Sequence, residues 1–291
     1  MTQVTNPTQP ASSQPIGGGG GGSSIVGIEG PNRLNGTPGN DVILTFGGAD
    51  VVAGGGGNDL IISGGGNDSV GGGDGNDPIL SGSGNDVVAG GTGDDAIFGG
   101  KGDDLLDGGD GNDLISGDRG NDTVLGGSGS DTVFGGQGND IVGGGDGNDT
   151  LYGGKDNDSV NGGAGNDLIS GDRGSDVLTG GTGSDTFYFF TSSVTGTLDG
   201  IDTITDFTPG EDKIRLKTTG GVFSALGSSV DATEFVVVSG FNASTPGAAT
   251  TNKLIYDPTN GALFFNGGNG VLQVAQLTPG LTITSNNFEV F

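Results

Sequence analysis

The sequence predicts an all-β protein: a long stack of short parallel strands wound in 18-residue coils, followed by a β-rich C-terminal cap. Three observations carry that expectation. Aspartate recurs at every ninth position from Asp41 to Asp185, seventeen times without a slip in register. Glycine supplies 69 of the 291 residues, against a usual share of about 7%. After Asp185 glycine thins out, and eleven of the fourteen phenylalanines lie from Phe187 onward. The expected division is a flexible tail over 1–26, the coiled stack over 27–187 and the cap over 188–291.

The stretch GGSGSDTVFGGQGND (126–140) holds two copies of the repeated phrase. Two residues before each aspartate stands glycine, from Gly39 to Gly183, except at Asp156. Two residues after each is an apolar side chain: Ile43, Val52, Ile61, Val70, Ile79, Val88, Ile97, Leu106, Ile115, Val124, Val133, Val142, Leu151, Val160, Ile169, Leu178 and Phe187. A disordered low-complexity chain has no reason to hold three positions in phase, so the period marks a repeat architecture. Collagen is excluded by the absence of a three-residue period and by only ten prolines. Three residues such as Thr132-Val133-Phe134 suit a short strand with the middle side chain inward. The six residues between strands must reverse the chain, and glycine permits the positive φ angles this needs. Two nonapeptides then make one coil, and the seventeen units give about eight coils spaced roughly 4.8 Å apart.

Such a stack buries one dependable aliphatic side chain per nonapeptide while ordering nine backbones, and its aligned aspartates repel one another. The bare sequence is therefore expected not to fold unless something binds between the turns. The formal charge is −27, with 9 basic against 36 acidic residues. That balance excludes nucleic acid as a partner and favours cations. There is no cysteine and no histidine, which excludes disulfides, thiolate or imidazole metal sites, and Ser-His-Asp or Cys-His catalysis. Any metal must be held by oxygen. Carboxylates and carbonyls in a crowded turn suit Ca²⁺, which accepts six to eight oxygens at flexible geometry; Mg²⁺ demands a stricter octahedron.

The unit G-G-x-G-x-D-x-U-x, with U apolar, resembles the hemolysin-type nonapeptide of the RTX (repeats-in-toxin) family over about half of the chain. The resemblance implies a right-handed parallel β-roll with calcium between turns 18 residues apart. It also implies the ligands. One turn gives its aspartate and the carbonyls of its second and fourth positions; the other gives its aspartate and the carbonyls of its first and third. One such site would be Gly55, Gly57 and Asp59 with Gly72, Asp74 and Asp77.

Across the array the carboxylate ligands would be Asp41, Asp50, Asp59, Asp68, Asp77, Asp86, Asp95, Asp104, Asp113, Asp122, Asp131, Asp140, Asp149, Asp158, Asp167, Asp176 and Asp185. First-position ligands would be Gly72, Gly90, Gly99, Gly108, Gly117, Gly126, Gly135, Gly144, Gly153, Gly162, Gly171 and Gly180. Second-position ligands would be Gly55, Gly64, Gly73, Gly82, Gly91, Gly100, Gly109, Gly127, Gly136, Gly145, Gly154 and Gly163. Fourth-position ligands would be Gly39, Gly48, Gly57, Gly66, Gly75, Gly84, Gly93, Gly102, Gly111, Gly120, Gly129, Gly138, Gly147, Gly165 and Gly174. Pairing the turns gives up to about fifteen ions, whose charge of about +30 would nearly cancel that of the chain.

Some units depart from the pattern. Thr45-Phe46 replaces a first glycine pair, Thr37 and Pro38 roughen the unit before it, and Ser63 and Ser81 replace first glycines. Asp156 stands where a fourth-position glycine belongs, in the site it would share with Gly171, Arg173 and Asp176. Pro78 lacks a strand donor. Upstream, GIEGPNRLN (27–35) fits the frame with Asn32 in the aspartate place and Leu34 at U, and reads as a degenerate capping unit.

The third position points outward. On one edge it reads Lys101, Arg119, Gln137, Lys155 and Arg173; on the other Asp74, Thr92, Asp110, Ser128, Asp146, Ala164 and Thr182. The basic column is read first as local compensation of Asp103, Asp118, Asp156 and Asp172, and second as a stripe for a cell-surface polysaccharide. Ice binding would need regular outward threonines, and Thr92 and Thr182 do not supply them.

In the C-terminal hundred residues, TFYFF, GIDTITDF, DKIRL, EFVVV, KLIYDPTNGALFF and VLQVAQL read as short strands, the fifth a hairpin around Asp257–Gly261. These segments and the closing FEVF resemble the region after RTX arrays that carries an uncleaved type I secretion signal. The opening MTQVTNPTQPASSQPIGGGGGGSS has no basic start and no apolar run, so it is not read as a conventional signal peptide, and no stretch suffices for a membrane span.

The resulting expectation is a secreted calcium-binding protein, extracellular or at the cell surface. It would meet the type I secretion apparatus as a partner and fold on calcium outside. No catalytic residue and no organic cofactor site is expected; an active site over 186–291 would need a clustered acid, base and nucleophile without histidine. The alternatives are a cell-surface, matrix or adhesive structural protein, or a calcium-folded secretion module derived from an exoenzyme.

Overall fold

The structure is a computed structural model and describes residues 21–189, 200–217, 226, 229–230, 233–241, 253–266 and 271–291. The protein is all-β, a parallel β-roll of 18-residue coils, in two compact units of residues 1–150 and 151–291.

In the first unit the chain lays successive strands alternately in two parallel sheets. One sheet takes Ser24–Val26, Val42–Leu44, Leu60–Ile62, Pro78–Ser83, Ala96–Lys101, Leu114–Arg119 and Thr132–Gln137. The other takes Arg33–Asn35, Val51–Gly56, Ser69–Asp74, Val87–Thr92, Leu105–Asp110, Thr123–Ser128 and Ile141–Asp146. Each strand pairs with the one 18 residues on: Ile43 opposes Ile61, and Val52 opposes Val70. The apolar residue two after each aspartate points between the sheets, and none from Ile43 to Phe187 is more than 4% exposed.

Most strands are longer than the three residues expected. Pairing continues through the second glycine and the third position, so Gly109 opposes Gly127 and Asp110 opposes Ser128. Only about three residues are left for each turn. Glycine makes this possible: Gly127 lies at φ 111°, and a Cβ there would come within 2.1 Å of the Gly109 carbonyl oxygen. Pro78 opens its strand, and the ladder beneath it begins one residue late, at Ile61 opposite Ile79.

In the second unit Ser159–Ala164 pairs with Val177–Thr182, and Leu168–Arg173 with Thr186–Phe189. The parallel stack then continues. Asp202–Ile204 lies on Val177–Thr182 with Leu178 opposite Ile204, and Lys213–Leu216 lies on Thr186–Phe189 with Phe187 opposite Ile214. Phe288–Val290 adds to Lys213–Leu216. The expected hairpin forms from Lys253–Asp257 and Ala262–Asn266, and Val271–Gln276 pairs with both Ala262–Asn266 and Asp202–Ile204. The Asp257 carboxylate holds this end together, accepting from the N–H groups of Gly240, Phe241 and Thr259 at 2.9–3.0 Å.

Two expected boundaries move. Ser24–Val26, placed in the tail, is a strand with Ile25 buried against the next coil, because its central residue has the same inward position as every U. The rest of that tail, residues 1–20, lies outside the described residues. At the other end, the division at 187/188 cuts the strand Thr186–Phe189, and the parallel stack runs on to Leu216. Among the described residues no helix is long and apolar enough to cross a membrane.

Replacing the fully buried Ile115 by alanine should destabilise the calcium-loaded protein by about 2–5 kcal/mol in denaturant titrations, whereas the outward Ile141→Ala should stay within about 0.5 kcal/mol. Similar losses at both positions would contradict the inward and outward assignment.

Candidate calcium-binding turns

Each repeat aspartate sits at the end of a turn, just before the strand whose first inward side chain is U. The parallel register stacks these aspartates in two columns, one along each edge of the coils. In the first unit the backbone N–H of Asp59 donates to Oδ1 of Asp77 at 2.7 Å, Asp77 to Asp95 at 2.8 Å, Asp95 to Asp113 at 2.7 Å and Asp113 to Asp131 at 2.8 Å. On the other edge the chain of donors runs Asp50, Asp68, Asp86, Asp104, Asp122 and Asp140, each step 2.8 Å. Every repeat aspartate from Asp41 to Asp185 is at most 3% exposed.

The second carboxylate oxygen has a different environment. Among the described residues, Oδ2 of Asp59, Asp77, Asp95, Asp104, Asp113, Asp122 and Asp131 is buried with no hydrogen-bond donor. It faces another acceptor. A Cβ built on Gly54 would lie 2.4 Å from Asp59 Oδ2 and 2.4 Å from the carbonyl oxygen of Gly72 in the turn 18 residues on. The same pair recurs beside Gly108, at 2.3 Å from Asp113 Oδ2 and 2.4 Å from Gly126 O, and beside Gly126, at 2.4 Å from Asp131 Oδ2 and 2.5 Å from Gly144 O. Glycine in the first position thus leaves a carboxylate and a carbonyl oxygen converging with no proton between them.

The remaining carbonyls turn toward the same gap. The second-position carbonyl of Gly55 points at Gly73, 2.1 Å from where a Cβ would stand, and the fourth-position carbonyl of Gly57 points at Gly75, 2.4 Å from its Cβ position. From the opposite side, third-position Thr92 O accepts from Gly75 N–H at 2.7 Å. Carbonyls of positions two and four therefore face forward, and those of positions one and three face back. Oxygens from one carboxylate per turn and several carbonyls fit a hard cation with a high coordination number, and the donor set is that of Ca²⁺. No group of three acidic or other metal-binding side chains clusters among the described residues, as expected where each turn contributes one carboxylate.

Burial is the main force on the ionisation of these groups. It raises Asp59 to about 6, with N–H donation from Asp41 opposing and the charges of Asp77 and Asp41 adding. Asp95 and Asp104 rise to about 7 and Asp122 and Asp131 to about 6, again by burial first. Without a cation, the turns hold protons better than an exposed carboxylate does.

The departures behave individually. The Asp41 carboxylate finds local donors, Thr37 N–H at 2.5 Å and Thr37 Oγ1 at 3.0 Å. Asp156 adopts the left-handed conformation of the glycine it replaces, at φ 76°, and its carbonyl points at Gly174, so the backbone of that turn is kept. Asp118 and Asp172 do the same in second positions, at φ 71° and 69°. The third-position columns align as expected: Lys101 opposes Arg119 and Arg119 opposes Gln137, while Asp110 lies between Thr92 and Ser128.

In the second unit two further aspartates, beyond the unbroken run that ends at Asp185, stack on repeat aspartates. Asp176 N–H donates to Asp202 Oδ1 at 3.1 Å, and Asp185 N–H to Asp212 Oδ1 at 3.0 Å. Burial, and then the Asp176 charge, lifts Asp202 to about 8. Both keep three marks of the unit, with Gly200 and Gly210 two residues before the aspartate and Ile204 and Ile214 two after, though the opening glycine pair is absent. The spacing concealed them: Asp202 follows Asp185 by 17 residues rather than nine.

The family model of the RTX calcium-binding nonapeptide repeat matches in overlapping copies over residues 17–45, 26–61, 44–79, 80–115, 107–142, 116–151, 134–169, 143–178 and 152–187. The chain belongs to this family. It is a calcium-binding β-roll protein. No curated protein matches it significantly.

The glycine cradle predicts a contrast between two substitutions. Gly108→Ala should raise the calcium midpoint and weaken the roll, whereas Gly71→Ala, whose Cβ would meet nothing within 4 Å, should be neutral. Calcium titrations followed by far-UV circular dichroism compare the two; equal behaviour would remove the steric reason for glycine in the first position.

The raised carboxylates also fix a sign for pH. In the metal-free protein, folding is favoured while these groups are protonated, and that contribution is lost as pH rises through about 6 to 7. Calcium-stripped protein should therefore show more β signal at pH 5 than at pH 8. Added calcium should show the reverse, needing higher concentrations as pH falls. Identical metal-free spectra at the two pH values would mean that protonating these carboxylates does not suffice to order the roll.

Proposed function

We propose that the chain is a secreted protein whose activity is to fold on calcium outside the cell, with the repeat aspartates and turn glycines named above as its ligands. The observation that carries this reading is the pair of columns of buried Oδ2 atoms with no donor. A buried, unpaired carboxylate oxygen costs of the order of 1–3 kcal/mol or more, and the cost recurs at each turn. At cytosolic calcium the chain would stay open and could pass an export channel; at extracellular calcium each filled site at ten times its Kd adds about 1.4 kcal/mol. Up to about fifteen such sites would add about 20 kcal/mol to the apolar burial and strand pairing that offset most of the ordering entropy.

The resemblance of the C-terminal region to RTX secretion segments supports the type I apparatus as the export partner. In this reading residues 188–291 combine a secretion signal with the end of the roll. A surface-attached or matrix role is the second reading, favoured by Lys101, Arg119 and Gln137 in one outward column at strand spacing. Such a stripe could meet an anionic polysaccharide, and it leaves the calcium chemistry unchanged.

The deciding experiment compares chelated and calcium-loaded protein at pH 7.5 by circular dichroism and hydrodynamic radius. Chelated protein should be expanded and largely unstructured; millimolar calcium should produce β signal and compaction, and equal magnesium should not. A compact β-rich protein in excess chelator at that pH would overturn the proposal.

A further inference from the structure

The first turn of the roll differs from those after it. In residues 27–32 the aspartate place is held by Asn32, only 6% exposed. Its amide nitrogen Nδ2 donates to Ile28 O at 2.8 Å, to Gly30 O at 2.6 Å and to Asp50 Oδ1 at 2.8 Å. Ile28 and Gly30 are the second and fourth positions of this turn, and Asp50 is the aspartate of the turn 18 residues on. These are three oxygens of the kind that would bind calcium in later turns. The amide oxygen accepts from Ile28 N–H at 3.0 Å, which fixes which end of the side chain carries the two hydrogens.

The same edge continues with hydroxyls in the first position. Thr45 Oγ1 donates to Ser63 O, Ser63 Oγ to Ser81 O at 2.9 Å, and Ser81 Oγ to Gly99 O at 2.8 Å. From Gly90 onward the first position on both edges is glycine, which has no donor to offer. These early coils are also richer in apolar side chains. Val26, Leu44, Ile62, Leu80 and Phe98 stack in one outward row, each opposite the next at strand spacing.

We propose that the Asn32 amide group takes the place of a calcium ion in the first turn pair, and that the hydroxyl ladder above it on the same edge ties the next turn pairs in part without metal. An amide N–H₂ is a partial positive charge with two hydrogens, here shared among three oxygens, and it needs no ion to be recruited from solution. The early coils then order at lower calcium than the coils whose turns on both edges open with glycine. The inference rests on the calcium reading of the later turns.

Hydrogen exchange along a calcium titration of the full chain, with a count of bound ions at saturation by native mass spectrometry, tests it. In the wild type, peptides from 24–62 should gain protection at lower calcium than those from 114–146. Asn32→Asp restores the carboxylate and should bind one more ion, and half-protection of 24–62 should shift to about tenfold higher calcium as the amide hydrogen bonds are lost. Asn32→Leu should shift in the same direction with no added ion. An unchanged ion count in Asn32→Asp, or protection of 24–62 no earlier than 114–146 in the wild type, would overturn the proposal while leaving the other sites intact. Absence of calcium binding by the wild type would instead overturn the reading of the later turns.

Discussion

In the turns from Asp68 to Asp131 the roll seals one aspartate carboxylate away from water and gives it a backbone N–H from the aspartate 18 residues earlier. The other oxygen faces a carbonyl. A half-satisfied anion repeated along two columns makes the metal-free fold unfavourable at neutral pH, and makes the same fold favourable once a divalent cation joins the two oxygens. The apolar ladder between the sheets cannot decide the matter alone, because each nonapeptide contributes one inward side chain. The carboxylate columns therefore set when the protein folds, while the U residues set what it folds into.

Both depend on the coil being 18 residues long. Parallel pairing with no offset puts position on position, so Asp59 stands under Asp77 and Gly55 under Gly73. A slip of one residue would turn every U to solvent and every outward residue to the core. It would also replace the facing carbonyl of Gly72 by that of a neighbour pointing the other way. Register is thus specified twice, by burial and by the direction of the carbonyls, and the two agree at every turn of the first unit where both are seen.

Much of this is legible in the sequence because it is local. The phase of Gly, Asp and U gives strand, turn and inward face, and it holds at Ile43 as at Phe187. What escaped was anything requiring a count across a change of spacing. Asp202 and Asp212 have the same neighbours as Asp185, but eight extra residues before Asp202 and one before Asp212 break the nine-residue run, and their place in the stack emerges only when Leu178 is seen opposite Ile204 and Phe187 opposite Ile214. Ser24–Val26 escaped for a related reason: three residues with one apolar centre carry no period of their own, and only the partner strand Val42–Leu44 makes them part of the roll. The length of the strands was also hidden, since glycine reads as turn by propensity while its backbone still pairs along the stack.

The first position of the turn shows how one atom changes the chemistry of a repeat. With glycine, there is no Cβ between the carboxylate and the facing carbonyl, and two acceptors are left converging, as beside Gly108. With serine at 63 or 81, a hydroxyl stands there and donates its one hydrogen to the carbonyl ahead. The carbonyl is satisfied, yet Oδ2 of Asp68 and Asp86 still has no donor. A hydroxyl therefore replaces part of what a cation does, while the Asn32 amide, reaching two carbonyls and a carboxylate at once, replaces more of it. Along this edge the side chains pass from a self-contained tie, through partial ties, to bare glycine, so the demand for metal grows with distance from the N-terminal coil.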